Sequence, residues 1–202
     1  GYTTGHFPQS LPMAHIGGLV ATRSIGQFST LYGGIEDLVV GLEAVLPGGE
    51  IVRIKNVPRR SCGPDLRHLF IGSEGTLGVI TRLVFALQPL PTTRQTALVS
   101  VQSFEQMVEL LNHCRRRLGA RLTSFEAMWR DFYDMVTTEL HVGGTPFAEP
   151  GGNLVLIEAM GQDAEADEQL FMEALGEFLE LAAGSDAVLA SSQQDAQLLW
   201  SI

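Results

Sequence analysis

Three glycines interrupt a stretch that would otherwise make a good buried strand. In "FIGSEGTLGVIT", residues 70–81, Gly72, Gly75 and Gly78 occupy every third position among apolar neighbours. Glycine in a strand interior is destabilising by roughly 0.5–1 kcal/mol relative to alanine. The spacing therefore indicates that this backbone must stay bare, either for tight turns or for the close approach of a ligand.

Composition divides the 202 residues into two segments. Residues 1–91 carry seven Lys or Arg and six Asp or Glu, a net charge of +1, whereas residues 92–202 carry six and 17, a net charge of −11. Fourteen of the 22 glycines lie before residue 81, and the proline-containing "LQPLPTT" joins the two segments. We therefore expect two domains, and we exclude nucleic acid as a partner because the chain is so acidic.

The sequence contains neither a membrane span of about 20 apolar residues nor an export signal. This predicts a cytoplasmic protein and leaves peripheral membrane association open. Cys62 and Cys114 stand in unrelated contexts, which favours buried or idle thiols over a disulfide. The chain opens at Gly1 and closes within "AQLLWSI", a helical pattern without a stop signal, so we expect a fragment of a longer protein.

The first segment is typical of strands joined by loops. "LVVGLEAVLPGGEIVRI", residues 38–54, predicts a hairpin with a two-residue loop at its Gly-Gly pair, since both glycines can take positive φ. Residues 65–70 predict a short helical turn, and residues 78–87 predict a strand. Residues 10–34 lack a sustained period but carry enough apolar side chains to be ordered, which is typical of a binding loop with short helical turns.

Small residues in this loop would let a ligand approach the backbone. Gly17, Gly18 and Gly26 leave N–H groups accessible, and runs of such groups bind phosphate or pyrophosphate. Neither "GxxxxGK[ST]" nor "GxGxxG" is present, so the loop does not identify a nucleotide class by itself. His15 is either a cofactor contact or a solvent-facing side chain. The five histidines have no metal-ligand spacing, which predicts no metal site.

The second segment alternates strand and helix in the order βαβα followed by βαβα, an α+β, ferredoxin-like pattern. Within it, Ser103 caps a helix that Gly119 ends. One face of this helix is predicted to be core, and it consists of Phe104, Met107, Leu110, Leu111 and Cys114. The acidic run "DAEADEQ", residues 163–169, is expected in a solvated first helical turn.

Several motifs, in order, carry a family resemblance. "GYTTGHFPQSLPMAHIGGLVATRSIG", "IEDLVVGLEAVLPGGEIVRI" and "GPDLRHLFIGSEGTLGVIT" resemble the FAD-linked oxidases of the vanillyl-alcohol oxidase, or PCMH-type, fold. This family includes D-lactate dehydrogenase, the glycolate oxidase D subunit, D-2-hydroxyglutarate dehydrogenase and alkyldihydroxyacetone-phosphate synthase. The resemblance implies an α+β chain. Residues 1–91 would be the second half of a PCMH-type FAD-binding domain, and residues 92–202 the first part of a ferredoxin-like α+β cap domain for the substrate.

The resemblance also implies which residues contact FAD. The backbone of "SEGTLGVI" is expected to lie along the cofactor, with "PQSLPMA", "IGG" and "ATRS" lining the rest. The expected cofactor-binding residues are Pro8, Gln9, Ser10, Leu11, Ala14, His15, Ile16, Gly17, Gly18, Thr22, Arg23, Ser24, Gly26, Gly72, Glu74, Gly75, Thr76, Gly78, Val79 and Ile80. The family's base, carboxylate-binding arginines and metal-binding histidines are expected beyond residue 202. No catalytic residue is therefore assigned, and the segment alone is expected to be inactive.

Two branches of the family compete. "TRSIG" and "IEDLVVG" are similar to alkyldihydroxyacetone-phosphate synthase, since the D-2-hydroxy-acid dehydrogenases more often have Thr-Asn-Ala-Gly-Gly in place of Thr22 to Gly26. "LTSFEAMWRDFYDMVT" and "GGTPFAEPGGNLVLIEAMGQD" are instead similar to the cap domain of those dehydrogenases. The resemblance thus implies that the whole enzyme oxidises a D-2-hydroxy acid of the D-lactate, glycolate or D-2-hydroxyglutarate class. The C2 hydrogen would leave as hydride to flavin N5.

Other interpretations stay open. A synthase-like flavoenzyme, which exchanges an acyl for an alkyl chain, is one of them. A non-catalytic flavin-binding subunit of a larger oxidase, or a structural relative that binds no flavin, would show the same motifs. The expected partner is a small-molecule 2-hydroxy acid, while the electron acceptor and the oligomeric state, including a homodimer, are left open.

Overall fold

A three-stranded antiparallel sheet organises Gly1–Leu90, the first of two compact units in the computed structural model, which describes residues 1–57 and 61–202. The elements of this unit are β1 (Tyr2–Thr3), α1 (Ile16–Ala21), α2 (Ser29–Tyr32), α3 (Ile35–Leu38), β2 (Val39–Val45), β3 (Ile51–Ile54), α4 (Arg67–Phe70), β4 (Val79–Phe85) and β5 (Gln88–Pro89). The sheet order is β3-β2-β4, and β1 pairs separately with β5. Its core consists of Leu19, Val20, Ile35, Val39, Leu42, Ala44, Phe70 and Ile71.

The expected hairpin forms between β2 and β3, but the expected two-residue loop is wrong. The N–H of Gly49 donates to the carbonyl of Leu46 at 2.9 Å, and the N–H of Leu46 donates to the carbonyl of Glu50 at 2.9 Å. Pro47 causes the difference, because its ring fixes φ at about −65° and suits the second position of a four-residue turn. Of the two loop glycines, only Gly49 has a positive φ, +91°. The loop therefore matches the three-residue hairpin class.

The second unit, Pro91–Ile202, is a four-stranded antiparallel sheet with helices. Its elements are β6 (Thr93–Val101), α5 (Phe104–Leu118), a 3-10 helix (Gly119–Arg121), β7 (Leu122–Trp129), α6 (Arg130–Asp134), a π-helix (Met135–Glu139), β8 (Asn153–Gly161), α7 (Ala164–Leu181), β9 (Asp186–Leu189) and α8 (Gln193–Trp200). The strand order β7-β8-β6-β9 places the first and third strands of the unit at the centre. The expected ferredoxin-like α+β fold is confirmed.

Helices α5 and α7 enclose the main core of the second unit. Ser103 accepts a hydrogen bond from the N–H of Gln106 at 3.2 Å, and Gly119 ends α5 with φ +55°. Both predicted helix boundaries are therefore confirmed. The buried side chains of α5, α7 and the facing sheet include Val99, Met107, Leu110, Cys114, Leu118, Val155, Ile157, Phe171, Leu175 and Phe178.

Two side chains of this unit differ from expectation. Phe104 is 54% exposed and stacks on Trp129 with ring centroids 6.2 Å apart, because it begins α5 at the edge of the core. Asp167, expected in a solvated turn, is buried. Its carboxylate accepts hydrogen bonds from the hydroxyl of Thr93 at 2.6 Å and from the N–H of Asp163 at 3.0 Å. A buried carboxylate is stable only with such partners.

The environments of the two cysteines predict selective alkylation. Cys114 is buried, and burial raises the pKa of its thiol to about 12, whereas Cys62 is exposed. The thiolate is the reactive form, so brief iodoacetamide treatment of the native protein should label Cys62 and leave Cys114 unmodified. Peptide mapping by mass spectrometry measures both positions, with urea-unfolded protein as the control. Equal labelling of the two thiols in native protein would contradict the burial of Cys114.

Candidate functional site

A cavity of about 490 Å³ lies between α1 and the turn that precedes β4. The two segments that the sequence predicts to bind a cofactor supply its walls. The residues that line it are His15, Gly17, Gly18, Ala21, Thr22, Glu74, Gly75, Gly78, Val79 and Ile80. The fold thus brings together side chains and backbone that lie more than 50 positions apart in the sequence.

The remaining predicted residues lie outside the wall of this cavity. They are Pro8, Gln9, Ser10, Leu11, Ala14, Ile16, Arg23, Ser24, Gly26, Gly72 and Thr76. Residues 8–11 form a turn with a buried Pro8 and three exposed residues after it, and the N–H of Leu11 donates to the carbonyl of Pro8 at 2.9 Å. Ala21 belongs to the expected "ATRS" stretch but not to the individually named residues, and its position three residues after Gly18 places both on one face of α1.

Helix α1 ends in a Schellman motif. The N–H of Arg23 donates to the carbonyl of Val20 at 3.1 Å, and the N–H of Ser24 donates to the carbonyl of Leu19 at 2.9 Å. Arg23 takes the left-handed position of this motif with φ +52°, where glycine is the usual residue. The motif reverses the chain directly after Thr22, which lines the cavity.

The turn at residues 72–75, which we call the glycine turn, docks on the same end of α1. The N–H of Gly72 donates to the carbonyl of Val20 at 3.1 Å, and the N–H of Glu74 donates to the carbonyl of Ala21 at 2.9 Å. The last carbonyls of a helix have no partner within it. The bond from Glu74 therefore satisfies the carbonyl of Ala21, and the bond from Gly72 is a second one to the carbonyl of Val20, which also accepts from Arg23. The turn has positive φ at Gly72 (+80°), Glu74 (+50°) and Gly75 (+80°). Glycine adopts this conformation without strain, which explains two of the three glycines.

The glycines around the cavity serve two different purposes. A Cβ on Gly78 would lie 2.8 Å from the carbonyl oxygen of Val45, and one on Gly17 would lie 3.2 Å from that of Ile80. These two glycines therefore permit close backbone packing. A Cβ on Gly18 or on Gly75 would meet no atom within 4 Å. Gly18 and Gly75 thus border open space, as expected of a cradle that a ligand approaches closely.

Polar groups on the cavity wall are few. Thr22 donates its hydroxyl to the carbonyl of Gly18 at 3.0 Å, which leaves the oxygen lone pairs as acceptors. Glu74 supplies one carboxylate and His15 one imidazole. Among residues 1–57 and 61–202, no group of three or more His, Cys, Asp or Glu side chains is arranged to hold a metal ion. The wall suits an organic ligand that carries hydroxyl groups and is recognised mainly by shape and backbone.

An ion pair fixes α4, the element that leads into the glycine turn. The guanidinium of Arg67 donates to the carbonyl of Val39 in β2, and its Nε donates to Asp65 at 2.9 Å. This hydrogen-bonded contact holds the pKa of the Asp65 carboxyl at about 2. Phe70 and Ile71, both in the core, connect α4 to the turn. The start of the turn is therefore fixed to β2 and to the core of the first unit.

The second unit contains a buried carboxylate that the sequence analysis missed. Glu158 is 0% exposed and accepts hydrogen bonds from the indole N–H of Trp200 at 2.7 Å and the hydroxyl of Thr96 at 3.1 Å. Burial raises its pKa, although Arg94 lies 3.5 Å away. A polar cavity of about 500 Å³ borders Arg94 and Thr96. The lone carboxylate within the apolar run "NLVLIEAM" was the available signal, because buried acids of raised pKa cluster at functional sites.

Two family models match this chain. The model described as "FAD binding domain" matches residues 1–55. The model described as "FAD linked oxidases, C-terminal domain" matches residues 90–202.

Curated relatives align with both units. The "Uncharacterized FAD-linked oxidoreductase YgcU" of Escherichia coli (strain K12) is 72% identical over 83 residues, 41% of this chain and 17% of that protein. The mitochondrial D-2-hydroxyglutarate dehydrogenase of Rattus norvegicus is 33% identical over 189 residues, 93% of this chain and 35% of that protein. Alkyldihydroxyacetonephosphate synthase of Caenorhabditis elegans is 42% identical over 108 residues, which are 54% of this chain and 18% of that protein. The chain spans about a third or less of the length of these relatives.

Solved structures show the same fold. Alkyldihydroxyacetonephosphate synthase in its P1 crystal form superposes with a TM-score of 0.72 at 24% identity, covering 98% of this chain and 38% of that one. p-Cresol methylhydroxylase with substrate bound gives a TM-score of 0.64 at 18% identity, and the superposition covers 92% of this chain and 41% of that one. The expected PCMH-type fold is confirmed. Because the C-terminal-domain model alone matches more than half of the residues, the chain belongs to the FAD-linked oxidase family.

Proposed function

We propose that this chain is the FAD-binding and adjoining cap segment of a flavin-dependent dehydrogenase or oxidase that acts on a D-2-hydroxy acid. The similarity to the rat D-2-hydroxyglutarate dehydrogenase carries the proposal, because it extends across both compact units and 93% of the chain. A substrate-facing cap distinguishes enzymes within one fold better than the cofactor site does, since function depends on the site and not on the fold.

The cavity between α1 and the glycine turn is the proposed FAD site. Gly18 and Gly75 border its open space, so the cofactor would meet backbone there and no side chain. The hydroxyl of Thr22 and the carboxylate of Glu74 can accept hydrogen bonds from ribityl or ribose hydroxyls. Residues 8–26 and 72–80 are together proposed to contact the adenosine and ribityl portions, mostly through backbone atoms. A bound flavin supplies the two-electron acceptor that oxidation of an alcohol carbon requires.

A synthase-like activity is the second candidate. The Caenorhabditis elegans synthase is 42% identical over 108 residues, and "TRSIG" at residues 22–26 is similar to that branch. That alignment covers 54% of the chain, whereas the likeness to the solved synthase, at 24% identity, carries the fold alone. The dehydrogenase is therefore the preferred proposal.

Location and partners belong to the same proposal. None of the helices in residues 1–57 and 61–202 is long and apolar enough to cross a membrane. We propose a cytoplasmic protein whose partner is a small-molecule 2-hydroxy acid. Subcellular fractionation of the full-length protein tests the location, and size-exclusion chromatography decides the oligomeric state, which the sequence leaves open.

Gly75→Val in the full-length protein should abolish flavin retention. The substitution puts a branched side chain into the open space of the cavity and strains a backbone of φ +80°. Gly49→Val is the matched control, because Gly49 has φ +91° and open space but lies in the hairpin loop. Flavin absorbance per protein measures the effect, and circular dichroism checks the fold. Equal flavin content in the two variants would show that Gly75 is only a turn residue.

Gly18→Val tests the opposite wall without strain from positive φ. Gly18 lies within α1 and its Cβ would point to open space, so the added side chain should lower FAD affinity by about tenfold or more, which takes only about 1.4 kcal/mol. Gly176→Val in α7 is the control, since Gly176 is also helical and also has open space around its Cβ position. Titration of apoprotein with FAD measures both. Unchanged affinity for the Gly18 variant would remove α1 from the cofactor site.

The full-length protein should reduce its flavin with a D-2-hydroxy acid. Anaerobic mixing with D-lactate, glycolate or D-2-hydroxyglutarate is expected to bleach the flavin absorbance, because hydride transfer from C2 leaves the cofactor reduced. L-Lactate serves as the stereochemical control. If none of the acids bleaches the flavin and the protein instead exchanges the acyl chain of an acyl-dihydroxyacetone phosphate for an alkyl chain, the synthase is the correct assignment.

A further inference from the structure

Arg23 occupies a backbone position that disfavours it. It is the left-handed residue of the Schellman motif at the end of α1, with φ +52°. Glycine is usual there because L-residues with a Cβ are strained in this conformation, and asparagine is the side chain that tolerates it best. Strained residues persist where the surrounding structure holds them, and they cluster at ligand clamps. Contacts of the Arg23 side chain are therefore expected to offset the strain of its left-handed backbone conformation.

The side chain of Arg23 covers the glycine turn. A Cβ built on Gly72 would lie 3.4 Å from the Cβ of Arg23 and 3.5 Å from its Nε. The arginine side chain thus packs against Gly72, the residue whose N–H donates the first hydrogen bond from the turn to α1. Arg23 therefore adds a side-chain contact at the place where the turn docks on the helix.

Beyond the turn, the guanidinium of Arg23 faces Glu36. Its Nε lies 3.8 Å from Oε1 of Glu36, which belongs to the first turn of α3. The other oxygen, Oε2, is buried and makes no hydrogen bond within the described part of the chain. Burial lowers the pKa of the neighbouring His6, although the charge of Glu36 opposes this shift. Burial thus favours the neutral form of His6, and the guanidinium of Arg23 places a positive charge 3.8 Å from the Glu36 carboxylate.

We propose that Arg23 is a positioning residue that clamps the Gly72–Gly75 turn between α1 and α3 and thereby slows the release of FAD. The inference rests on the proposed FAD site. It assigns the side chain of Arg23, which lies outside the cavity wall, a positioning role that is separate from the proposed backbone contacts of residues 8–26 with FAD. This role acts through the packing against Gly72 and the ion pair with Glu36. Without the clamp, the two hydrogen bonds from the turn to α1 would still join the two walls of the cavity, but no side chain at the end of α1 would hold the turn through α3.

Arg23→Asn separates the clamp from the strain. Asparagine tolerates the left-handed conformation, so the thermal midpoint of the apoprotein should stay equal or rise. The rate of FAD release should nevertheless increase about two- to five-fold, the range expected for a partly exposed ion pair. The full-length holoprotein is diluted into buffer, and flavin fluorescence follows the release. If Arg23 had only a structural role, the thermal midpoint and FAD retention would change in the same direction. The clamp predicts that FAD retention falls while the thermal midpoint stays equal or rises.

Glu36→Gln removes the ion pair and leaves the backbone of Arg23 unchanged. It should accelerate FAD release to the same extent, and the double variant Arg23→Asn/Glu36→Gln should add nothing further, because the two residues act through one contact. Glu50→Gln, at the exposed hairpin loop, is the control for loss of a negative charge. If Arg23→Asn fails to fold, Glu36→Gln alone decides the question.

Two results overturn the clamp. If Arg23→Asn and Glu36→Gln release FAD at the wild-type rate, Arg23 is only a strained cap. If stability and retention fall together in Arg23→Asn, the residue acts through folding. A wild-type protein that holds no FAD would overturn the proposed function itself, and the clamp with it. The FAD content of the wild-type protein therefore distinguishes failure of the proposed function from failure of the clamp.

Discussion

The docking of a turn on the end of α1 determines the geometry of the first unit. The last carbonyls of this helix lack partners within it, and the N–H groups of Gly72 and Glu74 reach Val20 and Ala21 at 3.1 and 2.9 Å. The turn that directs both N–H groups at the helix has positive φ at Gly72, Glu74 and Gly75. The two segments thus lie side by side, and the space left between their bare backbones is the cavity.

The sequence predicted that residues 72–78 need bare backbone, but it did not separate the reasons. Gly78 lacks a side chain because the carbonyl of Val45 lies where its Cβ would be, whereas Gly75 combines a positive φ with open space. The first reason depends on a strand more than 30 residues away, which no local pattern reveals. That these residues contact FAD stays a prediction, which the variants at Gly75 and Gly18 test.

Element order was predictable, and individual environments were less so. Hydrophobic periodicity and caps predicted the helix from Ser103 to Gly119 and the ferredoxin-like alternation, because both depend on local spacing. Phe104 matched the apolar stripe but begins its helix at the edge of the core. Asp167 looked solvated, yet Thr93, 74 positions earlier, supplies a hydrogen bond that permits its burial. The error at Asp167 arose because a distant partner decided the outcome, whereas the hairpin loop differed through the adjacent Pro47.

The chemistry of the cavity wall explains why the motifs match enzymes with different reactions. Gly18 and Gly75 offer backbone and shape, and a cofactor recognised in this way would be selected without reference to the substrate. Substrate discrimination needs side chains that can leave a wrong group unpaired. In the second unit, the buried Glu158 and the neighbouring Arg94 have the chemistry that such a role would require, since an unsatisfied buried carboxylate is costly. Differences among relatives at positions like these should therefore separate dehydrogenase from synthase more reliably than differences around the glycine turn.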